Sequence, residues 1–131
     1  MASIRKEIPL RTSATRAWDA VRDLGALHTR LVPGFVVDTK LETDARLVTF
    51  GNGMTVRELI VDLDDAARRL VWSARGGSLT HHNASAQVFP ESETSCRLVW
   101  TADILPHEAA PTIRAMIDQG AAAMQRTLNE G

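Results

Sequence analysis

What this sequence has little of already narrows its function. Its 131 residues include one cysteine, no tyrosine and 5% aromatic residues. A lone thiol forms no internal disulfide. Cys96 lies in a strand-like run where a small apolar side chain fits, so a reducing cytoplasm is the expected home. No segment approaches the roughly 20 apolar residues of a membrane span. The opening MASIRKEIPL is interrupted by Arg5, Lys6 and Glu7, unlike a secretory signal. An excess of either charge is also missing. With a formal net charge of -1, neither nucleic acid nor an acidic membrane surface is expected as a partner. Repeats, low-complexity tracts and linkers are absent, and the length suits one domain over residues 1–131 with a core of its own.

Familiar reaction motifs are missing as well. His81 and His82 are adjacent, so on a strand they point to opposite faces and cannot share one ion. His28 and His107 lie far off, with no HxH or HExxH spacing, so no metal or other cofactor is expected. Cys96 has no evident basic partner, and no GxSxG occurs, which leaves nucleophilic catalysis without a candidate. The run Asp64-Asp65 with Arg68-Arg69 reads as a solvated turn with local ion pairs.

What is present is a long amphipathic segment at the end of the chain. In residues 111–129 the apolar Ile113, Met116, Ile117, Met124 and Leu128 recur at three- and four-residue steps, with Gly120 in the same stripe. Such a helix runs about 27 Å, enough to cross a small domain. Ser13 is a good N-cap for a second helix over residues 14–23, with Ala14, Trp18 and Val21 inward. Residues 27–32 suit a further short turn before Pro33-Gly34. The rest alternates like strands: residues 4–10, 35–41, 45–50, 54–63, 69–75, 80–89 and 95–105. Gly51-Asn52-Gly53 marks a tight hairpin.

Strand parity assigns the inner face. Leu98, Trp100, Ala102 and Ile104 face in together, as do Leu70, Trp72 and Ala74. Ala84, Ala86 and Val88 do the same, which puts His82 inward and His81 outward. Residues 54–63 are ambiguous. One parity holds Met54, Val56, Glu58 and Ile60, the other Leu59, Val61 and Leu63, and a bulge would satisfy both.

The chain resembles the START-related helix-grip superfamily, which includes Bet v 1-like proteins and the bacterial polyketide cyclase/dehydrase group. The resemblance spans the chain and rests on the order of elements and on several stretches. These are Ala17-Trp18-Asp19-Ala20-Val21 with Asp23-Leu24-Gly25, Val32-Pro33-Gly34, Glu58-Leu59 leading to Leu63-Asp64-Asp65, Arg68-Arg69-Leu70, Gly76-Gly77, and the terminal helix. It implies an α+β helix-grip fold: a seven-stranded curved antiparallel sheet wrapped around the long C-terminal helix, two short helices between strands 1 and 2, and an apolar cavity between. It also implies that the Glu58 parity faces that cavity, as in the plant abscisic-acid receptors. The hairpin at Gly51–Gly53 is too short for the gate loop of those receptors. The tryptophan that many members carry in the second short helix is replaced near His28 or Leu31.

The expected function is binding of a small hydrophobic molecule, lipid-, polyketide- or aromatic-like, by a monomer or homodimer. Met54, Val56, Trp72, Ala74, Ala84, Trp100, Met116, Gly120 and Met124 are its expected contacts. Gly120 has two readings, room for a ligand or close packing of helix on sheet. The alternative is a polyketide cyclase, aromatase or dehydrase with Glu58 and His82 as acid and base. The plainer reading has Glu58 bonded to a rim arginine and His82 a satisfied strand histidine, and the residues favour it. The missing tyrosine counts against several cyclases of the superfamily and against a steroid-isomerase type of site. A weaker alternative is a protein-interaction module of the co-chaperone kind, with a broad exposed apolar patch and a filled cavity.

Overall fold

The structure is a computed structural model, and it describes residues 2–129. Seven strands form one antiparallel sheet: β1 (Ala2–Leu10), β2 (Val36–Glu42), β3 (Ala45–Phe50), β4 (Thr55–Asp64), β5 (Arg69–Arg75), β6 (His81–Pro90) and β7 (Cys96–Leu105). Their order across the sheet is β1-β7-β6-β5-β4-β3-β2. Consecutive strands from β2 to β7 are neighbours joined by short turns, and β1 closes the far side against β7. Helix α1 (Ala14–Arg22) and two short turns lie between β1 and β2, and α2 (Ala110–Leu128) ends the fold. This is the helix-grip fold that the order of elements implied.

Local chemistry explains the elements. Ser13 caps α1, its hydroxyl accepting from the Arg16 amide at 3.2 Å. Ala14, Ala17, Trp18, Ala20 and Val21 form the buried face of α1. One turn of π-helix at Leu27–Leu31 buries Leu27 and Leu31. Pro111 sits in the first turn of α2, where its missing N–H costs nothing. The buried face of α2 is Ala110, Ile117, Gly120, Ala121, Ala123 and Met124, so small residues carry more of it than the larger ones. Gln125 donates to the Pro9 carbonyl at 3.1 Å, and Lys6 pairs with Asp118 at 3.1 Å, tying α2 along β1.

The parity conflict in β4 is resolved by a bulge. Its register against β5 shifts between Ile60 and Asp62, leaving Val61 as an extra residue that is 58% exposed. Val56, Glu58 and Ile60 therefore face in before the bulge, and Leu63 packs against the core after it.

The turn between β4 and β5 corrects one expectation. Asp65 does not pair with its neighbours Arg68 and Arg69. It accepts from the Trp18 indole N–H at 2.8 Å and from Arg22 Nε at 2.8 Å. The bonds from Arg22 and Trp18 hold the Asp65 carboxyl below its ordinary range. The turn is thus fastened to α1.

Candidate functional site

Between α2 and the concave face of the sheet lies a cavity of about 210 Å³. Its wall comes from almost every element: Val21 of α1, Leu27 and Leu31 of the π-turn, Val36 of β2, Val56 of β4, Leu70, Trp72 and Ala74 of β5, Ala86 of β6, Trp100 and Ala102 of β7. Helix α2 contributes Thr112, Ile113, Met116, Ile117 and Met124. Phe35 and Phe50 meet edge to face with centroids 5.3 Å apart, and the Trp72 and Trp100 rings lie 6.2 Å apart. The β5–β6 loop adds Gly76, Gly77, Ser78 and Leu79. Gly76 and Gly77 both have positive φ there, and a Cβ on either would meet nothing within 4 Å.

Polar groups form a row across this apolar wall. Arg46 on β3 opposes Glu58 on β4, and Glu58 opposes Ala74 on β5. Arg46 Nε donates to Glu58 Oε1 at 2.9 Å, and Arg46 Nη1 donates to the Leu24 carbonyl at 3.3 Å. The two side chains are 4% and 9% exposed, so this is a buried ion pair in the cavity wall. Next in the row, the Ala74 amide N–H donates to His82 Nδ1 at 2.9 Å. Regular pairing of β5 with β6 ends at Trp72 and Ala84. Beyond that point side chains take over from the backbone. The His82 ring takes the Ala74 amide, and the Ser73 hydroxyl donates to the His82 carbonyl. Arg75 in turn bonds Ser73 Oγ.

The His82 bond fixes its chemistry. A ring nitrogen that accepts from an amide carries no proton, so in neutral His82 the proton sits on Nε2. Burial pushes the ring from 6.5 down to about 4, and the nearby charges of His81 and Arg75 push the same way. His82 is therefore neutral near pH 7, a hydrogen-bond donor at Nε2 with no free lone pair.

Of the residues expected at the site, Met54, Val56, Glu58, Trp72, Ala74, His82, Trp100, Met116 and Met124 line the cavity. Ala84 and Gly120 do not. Ala84 is buried, at 1% exposure, within the sheet, while Ala86 and Ala102 reach the cavity. Gly120 packs directly under an aromatic ring: a Cβ there would stand 2.8 Å from Trp100 Cζ3 and 3.2 Å from Phe35 Cε2. Its missing side chain makes room for Trp100. Glu58 does bond an arginine, but Arg46 is buried in the wall and not at a rim. Sequence reasoning passed over Arg46, although it shares its parity with Val48 and Phe50 and stands opposite a residue of opposite charge.

Comparison with known families decides the kinship. The family described as polyketide cyclase / dehydrase and lipid transport matches residues 1–129. The chain belongs to this family. Among solved structures, a protein from Thermobifida fusca is 29% identical, with a TM-score of 0.77 over 96% of this chain and 89% of that one. The di-domain ARO/CYC BexL of the BE-7585A biosynthetic pathway is 17% identical, with a TM-score of 0.81 over 97% of this chain and 46% of BexL. A START superfamily protein from Mycobacterium smegmatis is 12% identical, with a TM-score of 0.76 over 96% of both chains. A comparison with curated protein sequences gives no match. Family and fold are consistent with hydrophobic ligand binding or with polyketide cyclisation. Among the described residues no helix is long and apolar enough to cross a membrane.

Proposed function

We propose that this member of the family binds one compact, mostly apolar ring compound between α2 and the sheet. The observation that carries the reading is the cavity itself, about 210 Å³ and apolar apart from the Arg46–Glu58 pair, His82 and a few hydroxyl and backbone groups. An apolar cavity of roughly 150 Å³ takes up benzene, whereas drug-sized ligands need about 300–1,000 Å³. The space suits one or two fused rings better than a long acyl chain or a tetracyclic product. Met54, Met116 and Met124 give the wall some adaptability. The fully buried thiol of Cys96 agrees with a reducing cytoplasm as the working compartment.

Naphthalene is a direct probe. It should quench or shift the fluorescence of Trp72 and Trp100 and raise the melting temperature. At a hundredfold excess over Kd the stabilisation is about 2.7 kcal/mol. Native mass spectrometry of protein from its own host should show a small bound molecule. A protein that comes out empty and ignores naphthalene would refute the reading.

One observation favours a second reading, an enzyme acting on a polyketide-like substrate. Glu58 and His82 flank Ala74 on the cavity wall, on strands about 10 Å apart at two strand spacings. In such a reaction the His82 Nε2–H would donate a hydrogen bond to the substrate carbonyl oxygen while the carboxylate of Glu58 accepts a proton from the adjacent carbon. Unchanged turnover in Glu58→Gln and His82→Ala would remove that assignment. The interaction-module reading loses support, because it requires a filled cavity.

A further inference from the structure

The proposed reading leaves open what distinguishes one ring compound from another, and this inference rests on that reading. We propose that His82 is the specificity-determining residue of the cavity, a fixed donor that selects ring compounds bearing a carbonyl oxygen. The ring is held by the fold and not by a ligand: its Nδ1 replaces a missing ladder bond to Ala74, at the point where β5 and β6 separate. That bond commits Nδ1 and leaves the Nε2 proton uncommitted within the fold. Among the described residues Nε2 makes no hydrogen bond, and it is not sealed off, so it is available to an occupant of the cavity that His82 lines. A donor with no lone pair accepts nothing, so a ligand hydroxyl gains there only through its oxygen and a carbonyl fits without rearrangement.

The rest of the row supports the same ligand. Arg46 Nη2 and Glu58 Oε2 also make no hydrogen bond among the described residues and keep accessible surface. Their side chains stand at the other end of the row, tied to one another through Arg46 Nε and Glu58 Oε1. The two ends therefore differ: a lone neutral donor at His82, and a linked donor and acceptor at Arg46 and Glu58. A ligand oriented by both ends carries its carbonyl toward β6.

The test compares 2-acetylnaphthalene with 2-isopropenylnaphthalene, near-isosteres that differ in one carbonyl oxygen. The wild-type protein should bind the ketone roughly fivefold tighter, the order of one net hydrogen bond. His82→Phe should bring the two affinities together. Equal binding of both compounds by the wild type overturns the inference and leaves the cavity reading standing. Binding of neither overturns both. Because His82→Phe strands the Ala74 amide and so costs stability, long-range proton–nitrogen spectra of the wild type provide a second readout. They should show His82 as the Nε2–H tautomer, with that nitrogen shifting when the ketone is added. A proton on Nδ1, or no shift on saturation, rejects the proposal.

Discussion

Acid should weaken this fold through His82, and the size of the effect follows from its surroundings. The ring is half-buried in the cavity wall, and this desolvation, with the nearby charges of His81 and Arg75, lowers its folded value from 6.5 to about 4. Between those two values the unfolded chain binds a proton that the folded protein refuses. Stability attributable to His82 is therefore complete above about pH 7, falls as the pH drops through 6.5, and stops falling near 4. At 1.36 kcal/mol per pH unit the loss is about 2 kcal/mol at pH 5 and on the order of 3 kcal/mol by pH 4. That is a large share of the 5–15 kcal/mol typical of a domain. The assay is urea unfolding followed by tryptophan fluorescence, repeated from pH 7.5 to 5 on the wild type and on His82→Gln. Glutamine retains an acceptor for the Ala74 amide but does not titrate. The other histidines contribute equally to both proteins and cancel in the difference. The wild-type curve should fall about 2 kcal/mol further than that of the variant. Parallel curves would show that His82 is not desolvated in solution and would refute the reasoning.

Three further outcomes follow from the packing. Gly120→Ala gains up to about 1 kcal/mol in helix propensity but sets a methyl 2.8 Å from Trp100, and overpacking of this kind costs roughly 1–3 kcal/mol. The variant should melt lower and show altered tryptophan fluorescence, and a higher melting temperature would contradict the assigned contact. Arg46→Met or Glu58→Leu alone should cost about 3–5 kcal/mol by leaving a buried charge unpaired, while the double variant should recover most of it. Additive losses in the double-mutant cycle would show that the pair is not coupled. Cys96 is fully buried and burial raises its thiol pKa, so an aromatic disulfide reagent should label it only at the rate of unfolding.

The legible part of the fold was the part governed by periodicity. Strand edges fell within about two residues of the observed ones, because each turn is marked by glycine, proline or a polar cluster. Inward parity placed Trp72, Ala74, His82 and Trp100 correctly against the cavity. What escaped depends on tertiary distance. Gly120 looks the same in sequence whether its empty side faces a ligand or Trp100, and only the helix-to-sheet spacing distinguishes them. Ala84 shares its parity with Ala86, yet only Ala86 reaches the cavity. Arg46 was passed over because a lone arginine in a strand normally signals the solvent face, and its burial becomes sensible only beside Glu58. Asp65 has two arginines next to it in sequence but bonds a third, Arg22, brought in by the docking of α1.

The extra residue in β4 has a consequence for how this site can change. Val61 divides the strand into two frames, one presenting Val56 and Glu58 to the cavity and packing Ile60 against the core, the other seating Leu63 in the core next to the turn held by Trp18 and Arg22. Each frame keeps its own alternation, so side chains that line the cavity are free to vary without disturbing the anchored end. Deleting Val61 would restore an unbroken ladder and force one of the frames to turn inside out. The interruption in the ladder is what lets one strand serve both as anchor and as adjustable wall.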